Sequence, residues 1–218
     1  MQNKIINKIK IKSRKYFKGT SGCHDWSHVE RVKNLALYIG KKEKGDLFII
    51  EVAAILHDIG RKEEFESRGK VCHAERGVEL AKKILANFKL KKDDINNILH
   101  CILSHRYRNN HIPETLEAKV LSDADKLDAI GAIGIGRAFL FAGGPGSKTL
   151  YTGREKEIAK KGFDKSYTKD DSAALEYEIK LKYIKDKILT KTGKKIAIQR
   201  HKFMEEFFRE FWREVRAK

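Results

Sequence analysis

Apolar positions recur three and four residues apart along most of the chain, the spacing that lays one stripe down an α-helix. Ile5, Ile6 and Ile9 begin a short basic helix, and Val29, Val32, Leu35, Ala36 and Ile39 set a second. The second opens at residues 25–27, where Asp25 or Ser27 can accept from the free N–H groups of a first turn. Residues 47–59 read as a third helix, capped by Asp46, ended by Gly60 and apolar on nearly every face, which makes it the expected buried centre. Further helices are expected over 73–88, over 92–106, from Pro113 to 130, and from 131 in a stretch spaced by small glycines. From residue 170 two long helices close the chain, one through Tyr183 and one through Phe203, Phe207 and Trp212. Strand-like alternation is rare, no repeat shows, and no linker is long enough to divide the core. The pattern predicts an all-α fold in a single domain over 1–218, with a core at about 20–155 and a helical extension at about 165–218.

Charge changes the picture only in part. With 47 Lys and Arg against 30 Asp and Glu, the net charge of +17 favours an anionic partner. Lysine is spread throughout, however, so the charge speaks to association and not to chemistry. Three cysteines far apart, Cys23, Cys72 and Cys101, leave no disulfide framework or thiolate zinc site and point to a reducing compartment. The longest apolar run, 48–56, carries Glu51 and is too short to span a bilayer, and no signal-peptide core opens the chain. The expectation is a cytoplasmic protein with no membrane partner.

Candidate chemistry sits in three places. "HDWSHVERV" holds one His-Asp pair, His24 and Asp25, with His28 four residues on; "VAAILHDIG" ends in a second, His57 and Asp58. Imidazole nitrogen and carboxylate oxygen together suit a hard or borderline metal ion. The second pair follows five apolar residues, where an unpartnered carboxylate costs several kcal/mol, so it needs cations, donors or a metal. A plain structural ion pair also satisfies that need. The third place is "KVLSDADKLDAIGAIGIG", where Asp125 and Asp128 share a helix face and Asp123 points elsewhere. A cation accounts for these acids, and so do Lys126 or Arg137 as partners. "GGPGSKT" at 143–149 fails the spacing of a phosphate loop and reads as a flexible loop.

Taken in order, HDxxHxxRV, LHDIG and DADKLDAIGAIGIGR over roughly 20–155 resemble the HD-domain metal-dependent phosphohydrolases, closest to the small bacterial branch. The resemblance implies an all-α HD-domain helical bundle with two extra C-terminal helices. It implies His28, His57, Asp58 and Asp125 as ligands of one divalent ion, manganese first, with magnesium, cobalt, nickel or iron as alternatives. His24 and Asp25 then cap or frame the site. No general base carries over by motif; Asp58 or Asp125, bound to the ion through one oxygen, is the catalytic candidate to accept a proton from water with the other, and Arg31, His73, His105 and Lys126 are candidate contacts for substrate phosphates. Dinuclear relatives carry further histidines near His73 and His105, but Arg106 stands where a second of a pair is expected, which argues against a second ion. Arg61 and Lys62 occupy positions where some relatives place a water-activating acid. The implied activity is hydrolysis of nucleotides, as a nucleoside or deoxynucleoside triphosphate pyrophosphohydrolase or related phosphoester hydrolase. The alternative is a nucleic-acid or nucleotide-binding protein with a structural metal site, contacted through Lys4, Lys8, Lys10, Lys12, Arg14 and Lys15. The aromatic last helix, "KFMEEFFREFWREV", is read as core or homodimer packing.

Overall fold

α3 (Leu47–Leu56) is the axis around which the elements carrying the HD motifs are arranged. Its residues 48–50 and 52–56 are all buried, and Asp46 caps it by accepting from the N–H groups of Phe48 and Ile49. Each such Ile or Leu contributes roughly 1.5–3 kcal/mol through burial. The computed structural model describes residues 2–20, 23–67, 69–106, 111–143, 149–161 and 171–217. Among these it has eleven α-helices, two 3-10 segments and no strand, so the expected all-α class holds.

Contacts divide the chain into two units. The first comprises Met1–Asp125 with Leu189–Gly193. In it α1 (Gln2–Arg14), α2 (Trp26–Glu43) and α6 (Lys92–Ser104) pack on α3, while α5 (His73–Leu85) packs on α6 and on the short α4 (Arg61–Glu66). α7 (Leu116–Asp128) brings Asp123 to this unit, where its carboxylate accepts from the N–H of Leu189 (2.8 Å), the N–H of Thr190 (2.7 Å) and the Thr190 hydroxyl (2.7 Å). Asp123 is therefore an anchor for the 189–193 segment and not a site residue.

The second unit comprises Lys126–Ile188 and Lys194–Lys218. It contains α8 (Gly131–Ala142), α9 (Glu155–Lys160), α10 (Ala173–Ile179) and most of α11 (Lys191–Val215). Asp128 takes Arg137 Nη1 at 2.7 Å, which accounts for that acid by an ion pair. Phe207, Phe211 and Trp212 of α11 meet Phe139 and Tyr151, so the aromatic run serves packing within this unit.

Three elements differ from the pattern. α3 stops at Leu56, and a turn over 57–60 separates it from α4, which periodicity did not mark. α10 ends at Ile179 and continues as a 3-10 segment, Leu181–Lys187, although no Pro or Gly interrupts the sequence there. α9 is too short to show a period. Residues 144–148 of the glycine-rich loop and 107–110 of "RYRNNHIP" lie outside the described residues. No helix among the described residues is long and apolar enough to cross a membrane.

Candidate metal centre

His57 and Asp58 sit where α3 ends, and the turn that holds them is pressed against α5. A Cβ on Gly60 would fall 2.4 Å from the carbonyl oxygen of His73 and 2.8 Å from the nitrogen of Gly77, so only glycine lets the two backbones approach this closely. That approach sets His73, the first residue of α5, beside Asp58. α2 contributes His28 from its first turn, whose N–H is capped by Asp25 at 3.1 Å. α6 contributes His105 at its C-terminal cap, and α7 contributes Asp125.

The side chains converge as two groups around one carboxylate. In the first, His28 Nε2 lies 3.3 Å from His57 Nε2, 3.4 Å from Asp125 Oδ1 and 3.6 Å from Asp58 Oδ2. His57 Nε2 lies 3.7 Å from Asp58 Oδ2 and 4.0 Å from Asp125 Oδ1. In the second, His73 Nε2 lies 3.1 Å from His105 Nε2 and 3.2 Å from Asp58 Oδ1, and His105 Nε2 is 3.7 Å from the same oxygen. His28, His57, Asp58, His73 and His105 are buried; Asp125 keeps 21% of its side chain exposed.

The shorter of these separations, 3.1–3.4 Å, fit a shared cation. Two donors each ~2.1 Å from one ion, at tetrahedral or octahedral angles, lie ~3.0–3.4 Å apart. The hydrogen bonds agree. His57 Nδ1 lies 2.8 Å from the carbonyl of Ala54 and His105 Nδ1 lies 2.6 Å from that of Ile102. Each Nδ1 must carry the proton to make that bond, which leaves each Nε2 a bare lone pair facing another ligand atom. Crowded lone pairs and carboxylate oxygens in a buried space call for a positive charge between them.

Electrostatics point the same way. Burial pushes the His57 imidazole down and pushes His105 down to about 3, with His73 and His57 adding to the effect at His105, so both rings are neutral ligands at pH 7. Burial alone would raise Asp58, but the Arg61 guanidinium, with His57 and His73, holds it well below the carboxylate range. Burial likewise opposes ionisation of Asp125, and the hydrogen bond from His28, with the surrounding imidazoles, outweighs it.

The other candidates divide. His24 stands 5.6 Å from the His28 ring, centroid to centroid, and is not in either converging group, while Asp25 serves as a helix cap. Arg31 is half-buried and donates to Ser27 Oγ at 3.0 Å. Lys126 is half-buried next to Asp125 on α7. His73 and His105, candidates for substrate phosphate, turn their Nε2 atoms on Asp58, His73 from α5 where it is pressed against the turn at Gly60 and His105 from the end of α6.

Residue motifs did not single out Glu64. Its Oε2 accepts from His73 Nδ1 and Arg61 Nη1, both at 2.8 Å, and its Oε1 from Arg106 Nη1 at 2.7 Å. In the sequence it stands, with Glu63, as the first acid beyond the His57-Asp58 pair, on an element too short to show a period.

Comparison with known proteins agrees with this fold. Residues 25–130 match the HD domain family. The chain is 35% identical to YpgQ of Bacillus subtilis over 199 residues, 89% of this chain and 86% of that protein. The crystal structure of YpgQ in complex with ADP superposes with a TM-score of 0.73 at 32% identity, covering 98% of this chain and 96% of that one. An HD-superfamily hydrolase of Bacillus thuringiensis gives 0.74 at 28% identity over 100% of both chains. Ribonuclease Y of Borrelia garinii subsp. bavariensis is 30% identical over 116 residues, which is 53% of this chain and 21% of that protein. With the HD motif at the end of α3 and a His/Asp group of metal-binding chemistry around it, the chain belongs to the HD-domain superfamily.

Proposed function

We propose that this protein is a divalent-metal-dependent phosphohydrolase acting on nucleotides, with deoxynucleoside and nucleoside triphosphates, cleaved to monophosphate and pyrophosphate, as the substrates to test first. The observation that carries the reading is the approach of the His28 and His57 Nε2 atoms to Asp58 Oδ2 and Asp125 Oδ1, at 3.4–4.0 Å. Mixed nitrogen and oxygen donors suit manganese, cobalt, nickel, iron or magnesium better than calcium, which prefers an all-oxygen shell. An ion held there supplies Lewis acidity toward a phosphoryl oxygen and toward water. The ADP bound to YpgQ supports a nucleotide as ligand.

The chain's own residues have separable tasks. Asp58 has both oxygens occupied by Arg61, through Nη2 at 3.0 Å and Nε at 3.2 Å, and is fixed between the two groups. Asp125, partly open to solvent, is the carboxylate placed to orient water and accept its proton. Arg31 and Lys126 remain the cationic candidates for substrate phosphate, where charged donors stabilise developing negative charge. His73 and His105 fit a second cation with Asp58 better than phosphate contact, since a fully buried ring whose Nε2 faces a carboxylate presents nothing to a ligand outside.

Purified protein stripped with chelator and reloaded with manganese is to be incubated with a nucleotide panel, following phosphate and pyrophosphate. Turnover that disappears in His57→Ala and with chelator is expected. No turnover with any nucleotide and metal would overturn the reading.

A second reading, nucleic-acid binding with a structural metal, has one observation in its favour. On α1 and just after it Lys4, Lys8, Lys12, Arg14, Lys15 and Lys18 are exposed, and no acid occurs before Asp25. Salt-dependent binding of RNA or DNA, lost without residues 1–14 and indifferent to chelator, distinguishes it.

A further inference from the structure

Three imidazoles around Asp58 need a partner at Nδ1, and they do not find it in the same way. His57 caps the C-terminus of α3 and His105 that of α6. The last carbonyls of a helix have no intrahelical donor, so each ring bonds the carbonyl three residues back. His73 opens α5. The free backbone groups at a helix N-terminus are N–H donors, and no carbonyl of its own helix is left over for an imidazole N–H.

We infer that Glu64 is a positioning residue that selects the His73 tautomer, taking the Nδ1 proton in a hydrogen bond so that the Nε2 lone pair faces Asp58 Oδ1 and His105 Nε2. The geometry contains the competing state as well. Arg106 Nη1 lies 3.2 Å from the same His73 Nδ1, while it also donates to Glu64 Oε1. Without the carboxylate, that guanidinium is the remaining neighbour of Nδ1, and it can only donate. The ring proton then belongs on Nε2, 3.2 Å from Asp58 Oδ1, where it makes a hydrogen bond. The ring stays in place, yet the lone pair has left the Asp58 side. Glu64 thus decides whether Asp58, His73 and His105 form a ligand set or a closed hydrogen-bonded cluster. A carboxylate behind a metal-ligating imidazole has the same effect in general, fixing the tautomer and raising ligand basicity. Glu64 is suited to it, because the Arg61 and Arg106 guanidinium groups hold its side chain from either side.

This rests on the reading of the Asp58 group as a cation site, and the test separates the two. Imidazole nitrogens of the 15N-labelled full-length protein with two equivalents of zinc, a diamagnetic dication, are observed by long-range 1H–15N correlation, with His73 assigned by its loss in His73→Asn. In the wild type, His73 is expected to show a protonated Nδ1 and an unprotonated Nε2. Glu64→Ala exchanges the two, with His57 and His105 unchanged as internal controls. Glu64→Gln keeps an acceptor oxygen and restores the wild-type pattern, which a merely structural role would not. In parallel, manganese titration counts ions; Glu64→Ala is expected to weaken the second by ~10–100-fold and to spare the first. A protonated Nε2 at His73 in the wild type overturns the proposal, as does an unchanged tautomer in Glu64→Ala or a Gln variant that behaves like Ala. Should the alanine variant fail to fold, the wild-type and Gln spectra still decide. If the wild type binds a single ion, the cation reading of the Asp58 group fails, while the nitrogen spectra still establish or refute the role of Glu64.

Discussion

The Arg61 guanidinium forks across both oxygens of Asp58, with Nη2 3.0 Å from Oδ1 and Nε 3.2 Å from Oδ2. This contact is the largest of those that compensate a carboxylate with no exposure to solvent. Removing one partner of a buried pair leaves an unpaired charge and costs about 3–5 kcal/mol. Arg61→Ala is therefore expected to lower the melting temperature of the metal-free protein. A divalent ion replaces the missing positive charge, so manganese should raise the melting temperature of the variant more than that of the wild type. Thermal unfolding with chelator and with manganese measures both. Equal metal-induced shifts in the two proteins would mean that Arg61 does not compensate Asp58.

Asp123 and Asp125 are two residues apart on α7 and are expected to fail in opposite ways. Asp123→Ala strips an acceptor from two N–H groups and a hydroxyl of the 189–190 segment, which predicts a loss of roughly 2–4 kcal/mol in urea unfolding. Its bound metal, measured by elemental analysis, should be unchanged. Asp125→Ala should lose the ion held with His28 and His57, and nucleotide turnover with it. Metal loss in Asp123→Ala without destabilisation would contradict the assignment.

How much of this was legible in the residues depends on the element. α3 declared itself because its residues are apolar on every face, and a His-Asp pair at the end of such a run has to be partnered. The link between His28, His57 and Asp125 was readable only through motif order, since periodicity says which face a residue lies on but not what lies opposite. The 3.4 Å between His28 and Asp125 is a tertiary fact. Asp123 and Asp128 looked alike as site candidates; hydrogen bonds to residues 66 and 67 positions away and an ion pair to Arg137 separate them from Asp125. α4 escaped notice because six residues do not display a period. Glu64 went with it, although the helix N-terminal position of His73 already implies that some side chain must serve its Nδ1.

The metal-free protein is expected to lose stability steadily with acid. His57 and His105 titrate below the usual 6.5, chiefly through burial, and His105 falls to about 3. As pH drops through 6.5 the unfolded chain takes up protons that the folded rings refuse, so the folded state is penalised from there downward and not above. Asp58 and Asp125 are held well below 3.8, burial notwithstanding, by Arg61 and the surrounding imidazoles. Their contribution is present above the unfolded value and is lost as pH falls toward the folded ones. The two classes act in the same direction over successive ranges. Urea midpoints in chelator should be level near pH 7–8, decline below about 6.5 and decline more steeply below about 4. Midpoints that rise between pH 6.5 and 5 would show the histidines gaining charge in the folded state.

Gly60 provides the sharpest test of how the turn after α3 builds the Asp58 group. An alanine Cβ there meets backbone, the His73 oxygen at 2.4 Å and the Gly77 nitrogen at 2.8 Å, and backbone has no alternative rotamer. The strain can be relieved only by moving α5 away from the turn, which carries His73 away from Asp58. At Gly77 the nearest atoms are Ile102 Cγ2 at 3.3 Å and the His57 oxygen at 3.5 Å, and the isoleucine can give way. Gly60→Ala should therefore cost about 3 kcal/mol or more, the upper end for overpacking, and Gly77→Ala about 1 kcal/mol. Manganese titration below the unfolding temperature should find the ion near His73 and His105 weakened in Gly60→Ala and retained in Gly77→Ala, with the ion near His28 and His57 bound in both. Equal stability of the two variants would mean that α5 is not held by this contact, and that His73 reaches Asp58 by some other constraint.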